Sequence, residues 1–234
     1  EQQKKFAAIL DAADAYRQKT KALITKYDEL TQSLFLDMFG DPVRNPKGLP
    51  KIKLDELGKW QSGGTPSRSN SKYFEGNIPW LSSGELNQMY TYDSKEHITE
   101  LAIKESNTKL IEKGSILLGM YDTAALKSTI NAEIVTCNQA IAYCKLDEEL
   151  ANSSYVYHII QIGKEHYRRL QRGVRQKNLN LSMVKGIKII FPSIKLQNQF
   201  AERVKAIEAQ KAQAQASLAQ AEDLFNSLLQ RAFK

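Results

Sequence analysis

QKKFAAILDAADAYRQKTKALITKYDELTQSLFLDMF, residues 3–39, returns near the other end of the chain as QNQFAERVKAIEAQKAQAQASLAQAEDLFNSLLQRAF, residues 197–233, without a gap. The copies share Gln3/Gln197, Phe6/Phe200, Ala7/Ala201, Ala12/Ala206, Ala15/Ala209, Ala22/Ala216, Leu30/Leu224, Ser33/Ser227, Leu34/Leu228 and Phe39/Phe233, more than common helical composition supplies. Neither interior holds Gly or Pro, and apolar or small residues recur at alternating steps of three and four. Each copy therefore reads as one long helix.

The seam of the first copy reads as Phe6, Ile9, Ala13, Tyr16, Thr20, Leu23, Tyr27, Leu30 and Leu34. That of the second reads as Phe200, Val204, Ile207, Ala214, Leu218, Ala221, Phe225 and Leu228, with many alanines that suit close packing. Helical stability comes mostly from burying such a stripe, and the nearest partner for each copy is the other. Laid antiparallel, they predict a stalk roughly 55 to 60 Å long at 1.5 Å per residue. The expected class is α+β: a mixed α/β head over residues 41–192, carried on a long antiparallel two-helix coiled-coil stalk of residues 1–40 and 193–234. A strand-like lead-in, Gly186 to Ser193, precedes the second copy, whereas the first opens at Glu1. This asymmetry suggests another head domain before Glu1 in a longer or tandem protein.

With 234 residues and 42% hydrophobic content, the chain can hold one such domain besides the helices. No apolar run approaches membrane-spanning length and no signal-peptide pattern opens the chain, so the expectation is a soluble, cytoplasmic protein without a membrane partner. Cys137 and Cys144 lack zinc-ribbon or CxxC spacing and do not make a disulfide framework. The net charge of +7 is unevenly placed: the helices are nearly neutral, whereas residues 164–188 carry Lys164, Arg168, Arg169, Arg172, Arg175, Lys177, Lys185 and Lys188 against Glu165 alone. Such a segment suits a polyanion.

Gly40 and Pro42 should end the first helix, and Asp41–Pro50, with three prolines, reads as a linker. Lys51–Leu54 and Leu57–Trp60 read as short strands. They lead to the turn-forming run Ser62 to Asn70, in which Thr65, Ser67 and Arg68 are candidate contacts. Asn77–Leu81 reads as a buried strand feeding a second polar loop with Ser83, Glu85 and Asn87. Thr99 should cap a short helix to about Asn107. A core strand over Ile116–Met120 empties into a third loop carrying Tyr121, Thr123 and Lys127, and Ile130–Val135 and Gln139–Lys145 read as further strands. Asn152 should open a helix running to Gln171, with Arg168 and Arg169 on its outer face, read either as a solvated surface or as phosphate contacts. The loop that follows holds Arg175, Gln176, Lys177 and Asn178, next to Arg172. Arginine pairs bidentately with guanine and glutamine or asparagine with adenine, while lysine and arginine neutralise phosphates. That mixture favours nucleic acid.

Catalytic chemistry is not assembled by the sequence. His97, His158 and His166 stand in separate contexts without metal-ligand spacing. Gly63-Gly64 lacks the lysine of a phosphate loop, and no GxGxxG follows a strand. Asp122 and Glu133 are lone acids. The expectation is a binding protein rather than an enzyme; a coiled-coil scaffold without sequence-specific DNA binding is the alternative.

The order of GGTPS at 63–67, GNIPWL at 76–81, GSILLGMYDTAA at 114–125, CNQAIAYC at 137–144, RGVRQKNLNLSMVKGIKIIFPS at 172–193 and the helix ending SLLQRAF at 227–233 resembles the specificity subunit of type I restriction-modification enzymes. The resemblance implies one target recognition domain over 41–192 between two conserved spacer helices, a subunit that reads half of a bipartite site in double-stranded DNA. It also implies docking onto modification subunits that use S-adenosylmethionine to methylate adenine, with a restriction subunit in the full complex and no cofactor in this chain itself. The second head would come from an N-terminal recognition domain or from a second copy of the chain, in a bacterial or archaeal cytoplasm. Spacer length would then set the gap between half-sites, one helical turn adding about 5.4 Å.

Overall fold

The computed structural model describes residues 2–170 and 178–232, and these divide into two compact units: one drawn from residues 39–199, and a helical unit of 2–38 with 200–232. The first helix, α1, spans Gln2–Phe39 and the last, α6, Ile194–Ala232.

Within the helical unit α1 and α6 run antiparallel. Phe35 meets Phe200 edge-on at 5.5 Å, Lys21 pairs with Glu222 at 2.9 Å, Lys211 pairs with Asp28, and the Arg17 guanidinium lies 4.2 Å from the centre of the Phe225 ring. The α6 stripe faces inward as its sequence predicts, with Phe200, Val204, Ala214 and Ala221 buried and Ile207, Leu218, Phe225 and Leu228 half-buried. The α1 stripe does not. Phe6, Ala13, Thr20, Tyr27 and Leu34 point inward, but their companions are Leu10, Arg17, Ile24, Thr31 and Met38; Ile9, Tyr16, Leu23 and Leu30 are exposed. Both choices satisfy a heptad, since residues 6, 13, 20, 27 and 34 can share a seam with the neighbours on either side. The seam actually buried is the more polar one. Its threonines cost little because Thr20 and Thr31 return their hydroxyls to the carbonyls of Tyr16 and Tyr27, at 2.9 and 3.1 Å.

In the other unit the expected linker is a series of side-chain-closed turns. The Asp41 carboxylate accepts from the N–H groups of Val43 and Arg44 at 2.8 Å, bonds that hold its pKa below the ordinary value, Arg44's being the largest cause. Asn45 exchanges two bonds with Leu49. Strand β1, Lys51–Lys53, is followed by a 3-10 turn at Leu54–Leu57, in which both leucines turn into the core and Trp60 Nε1 donates back to the Leu54 carbonyl at 2.7 Å; of the second expected strand, Leu57–Trp60, only a bridge from Gly58 to Leu146 forms.

Strands β2 (Gln61–Ser62), β3 (Ile78–Leu81), β4 (Tyr90–Thr91) and β5 (His97–Ile98) follow, and then α2, Glu100–Lys104, capped by Thr99 as expected but shorter. After these come β6 (Ile116–Gly119), β7 (Ser128–Asn131), β8 (Thr136–Cys137) and β9 (Ile141–Cys144). Every residue of β6, β7 and β9 is buried, and β6 lies between the other two with Leu118 opposite Ser128 and Ala142. The five-stranded sheet has the order β2-β9-β6-β7-β4, and β5-β3-β8 forms a second sheet. The expected strand over 130–135 is divided: β7 ends at Asn131, which pairs with Thr91 of β4 and whose side-chain amide donates to three carbonyls, those of Ile111, Glu112 and Glu133.

Helix α3, Ser153–Ile162, opens with Asn152 accepting from Ser154 N–H at 2.9 Å, as its sequence predicts, but stops at Gly163, a poor helix former. A short α4, Lys164–Tyr167, and a 3-10 turn at Arg168–Leu170 replace the expected continuous helix. A further short helix, α5 (Leu181–Lys185), is capped by Asn180, and β10 (Lys188–Ile190) returns antiparallel to β1.

Candidate nucleic-acid interface

The turn Asn138–Ala140, between β8 and β9, is where the polar loops converge. Asn138 N–H donates to the Leu81 carbonyl at the end of β3, at 3.0 Å, beside the loop carrying Ser83, Glu85 and Asn87. Gly64 N–H donates to the Cys137 carbonyl at 3.0 Å, which seats the loop of Thr65, Ser67 and Arg68 on the same turn. Met120 N–H donates to the Ala140 carbonyl at 2.8 Å and the Met120 carbonyl accepts from Leu179 N–H at 2.7 Å, while Tyr121 bridges Asn178. Four segments far apart in sequence thereby share one edge of the domain.

Gly63 shows why the first of these loops has its composition. A Cβ placed there would lie 2.2 Å from the Cys137 carbonyl oxygen, so only glycine fits. The neighbouring side chains divide in role. Thr65 is exposed and its hydroxyl donates to the Gln139 side-chain carbonyl. Ser67 and Ser69 share a hydroxyl bond of 2.8 Å. Arg68 is committed within the chain: its two terminal guanidinium nitrogens grip Glu96, and the guanidinium carbon lies 4.3 Å from the ring centre of Phe74 and 5.0 Å from that of Trp80. Trp80 Nε1 then donates to the Gly64 carbonyl at 3.0 Å. The pair holds Glu96 below the usual carboxylate range and raises Arg68.

The second loop is built around Glu85. Its Oε2 accepts from the N–H and hydroxyl of Ser82 at 2.8 and 2.6 Å, and its Oε1 from Lys95 N–H at 2.8 Å. Ser83 opens the intervening 3-10 turn and is half-buried. Exposed Asn87 donates from Nδ2 to the Gly84 carbonyl at 2.7 Å and accepts at Oδ1 from Lys127 Nζ at 2.9 Å, joining the second loop to the third. An open cleft of about 410 Å³ beside it is lined by Gly84, Glu85, Asn87, Gln88, Tyr90 and Lys95 among others.

In the third loop Tyr121 and Thr123 are exposed. Gln161 of α3 donates to the Leu126 carbonyl at 2.9 Å and to the Ser128 hydroxyl, which draws Lys127 toward the basic end of that helical stretch. Lys164 there has its pKa pushed below the ordinary lysine value, chiefly by burial and then by the positive charges of Arg168 and Lys127. Arg168 also meets Glu165 at 3.3 Å. Crowded cations with one neighbouring acid favour an anion in contact with them.

Arg172, Arg175, Gln176 and Lys177 lie outside the described residues. Among the described ones the fold brings Thr65 to Gln139, Asn87 to Lys127 and Tyr121 to Asn178, and it turns Arg68 and Glu85 to holding loops. Gln139 and Lys164 join the site without standing among the contacts that the sequence predicts. Gln139 reads in sequence as the start of a strand, although Asn138-Gln139 between two apolar runs is also a turn signal. No described helix is long and apolar enough to cross a membrane.

The sequence and the fold have counterparts. Residues 46–222 match the model of the type I restriction modification DNA specificity domain, and the chain belongs to that family. It is 35% identical over 111 residues to the EcoR124I/EcoR124II specificity subunit of Escherichia coli, covering 46% of this chain and 27% of that subunit. It is 29% identical over 161 residues to the MjaIX specificity subunit of Methanocaldococcus jannaschii, covering 67% of this chain and 37% of that one. The crystal structure of a type I restriction-modification S subunit from M. genitalium has the same fold, with a TM-score of 0.67 at 15% identity over 96% of this chain and 59% of that one. The chain thus spans less than two thirds of the length of these relatives.

Proposed function

We propose that this chain reads one half of a bipartite site in double-stranded DNA and delivers modification (methyltransferase) subunits, and through them a restriction subunit, to that site in the cytoplasm of a bacterium or archaeon. The observation that carries the reading is the convergence of three polar loops and the Asn178–Leu179 segment on the Asn138–Ala140 turn beside Lys127, Lys164 and Arg168. Cations on one flank supply salt-dependent affinity, and exposed amide and hydroxyl groups beside them supply sequence choice. The chain itself is proposed to be non-catalytic: S-adenosylmethionine would be held by the methyltransferase subunit, and methyl transfer is assigned to that subunit.

Docking is assigned to the helical unit. It buries the more polar of its two available α1 seams and leaves Ile9, Tyr16, Leu23 and Leu30 exposed at seven-residue spacing. A stripe with that spacing is the surface a partner helix packs against in a left-handed bundle. Residues 1–40, 41–192 and 193–234 are accordingly assigned as spacer helix, recognition domain and second spacer helix, with the other recognition half supplied by a further domain or by a second copy.

Co-purification and gel-shift assays test both halves. The chain is expected to bind duplex DNA with an affinity that falls steeply with salt, and to retain a type I methyltransferase subunit. The double variant Tyr16→Gln, Leu23→Gln should lose the subunit and keep the DNA. Absence of DNA binding at any salt concentration would return the chain to the class of coiled-coil scaffolds.

A further inference from the structure

The bonds around Asn87 fix more than the position of its side chain. A carboxamide can be turned over at little cost when its neighbours accept either end. Here they do not: the Lys127 ammonium only donates and the Gly84 carbonyl only accepts, so the oxygen must face Lys127 and the NH2 must face Gly84. Turning the group would set NH2 against ammonium and oxygen against carbonyl oxygen. The amide is held from two directions, by its own loop and by a loop 40 residues away in sequence. The Glu85 carboxylate secures the backbone on which it stands, binding Ser82 and Lys95 at once.

What remains on the exposed amide is one N–H and one oxygen lone pair in a set order. The major-groove edge of adenine offers an acceptor at N7 beside a donor at N6, the complement of that order, whereas guanine offers two acceptors. We propose that Asn87 is a pre-set adenine reader whose orientation is fixed by Lys127, making the pair a specificity-determining unit of the site. This rests on the DNA-reading function proposed above. Lys127 is the positioning residue: its hydrogen bond to Asn87 selects one of two amide orientations, and its charge, next to Lys164 and Arg168, attracts the backbone of the same duplex.

The test is selection from a randomised duplex library by the full chain complexed with its methyltransferase subunit, for wild type and for Asn87→Ala, Asn87→Asp and Lys127→Met. Wild type should select a site containing an A·T pair whose preference falls by about tenfold or more in Asn87→Ala, the other positions being retained. Asn87→Asp, which only accepts, should shift that position toward cytosine, which offers a donor. Lys127→Met should relax the same position by a smaller factor and also lower affinity for all sequences. Unchanged preference in Asn87→Ala, or an equal loss for every sequence, overturns the proposal. Failure of the wild type to select any sequence overturns the DNA-reading function instead. Retained binding to unselected duplex and an unchanged melting temperature exclude misfolding of a variant.

Discussion

The loop at Gly63–Arg68 and the loop at Ser83–Asn87 sit on the same turn and have similar polar composition, yet the structure uses them differently. In the first, the charged group is bound to Glu96 and stacked on Phe74 and Trp80, and the backbone is pressed against Cys137. In the second, the charged group, Glu85, is spent on the loop's own backbone while Asn87 stands exposed with a fixed orientation. On the function proposed above, the first loop is the frame and the second the reader. A polar residue in such a loop is therefore free to recognise a ligand only after its bonds within the chain have been counted.

The largest expected effect falls on the frame. Gly63→Ala drives a methyl group into the Cys137 carbonyl, and its melting curve should show a loss of about 3 kcal/mol, because the clash is with backbone that cannot rotate away. An equally large loss from Gly84→Ala, where the nearest atom to an added Cβ is 4.0 Å away, would erase the distinction between the loops.

Next is Arg68→Met, expected to cost about 1 kcal/mol, because a pair this exposed is screened by water even with two rings beneath it. Its base preference should match wild type. The pH profile sharpens the assignment. Glu96 has a folded pKa below its ordinary 4.5, so its contribution is present above that value and is lost as pH falls through the lowered one. The variant should lack this acid-side loss in urea melts measured across about pH 3 to 6.

The smallest effect on stability belongs to the interface. Lys164 has a folded pKa below its ordinary value, so its charged form is the one penalised by folding, and stability rises as pH climbs through the lowered value. Lys164→Met should therefore leave stability within about 0.5 kcal/mol of wild type or slightly above it at neutral pH. The slope of log affinity for DNA against log salt should nevertheless fall by about 0.9 for each phosphate that is no longer neutralised. A destabilised variant with an unchanged salt slope would move Lys164 from the interface to the frame.

Much of this is legible in the chain alone. The repeat predicts both long helices and the α6 seam, and local signals predict the Thr99 and Asn152 caps, the strand at Ile78–Leu81, buried at Trp80 and Leu81, and the buried strand at Ile116–Gly119. The candidate loops at residues 62–70, 83–87 and 121–127 stand where the sequence puts them, but their division of labour is not visible there, since Arg68 finds Glu96 at 28 residues' separation, Asn87 finds Lys127 at 40 and Thr65 finds Gln139 at 74. The α1 seam misleads for a different reason. Periodicity identifies the shared stripe of Phe6, Ala13, Thr20, Tyr27 and Leu34, but the more apolar neighbouring row is the natural choice for burial, and in this unit that row faces outward.

Composition, short-range period and motif order are sufficient for the two long helices, the α+β class, the basic stretch and the family, because each of these is a property of neighbouring residues or of their order along the chain. Folding in three dimensions had to settle which α1 seam is buried, which loop residues are occupied within the chain, and that Gln139, Asn87 and Lys127 share an edge. Those outcomes depend on contacts between segments tens of residues apart, whose geometry no local pattern encodes.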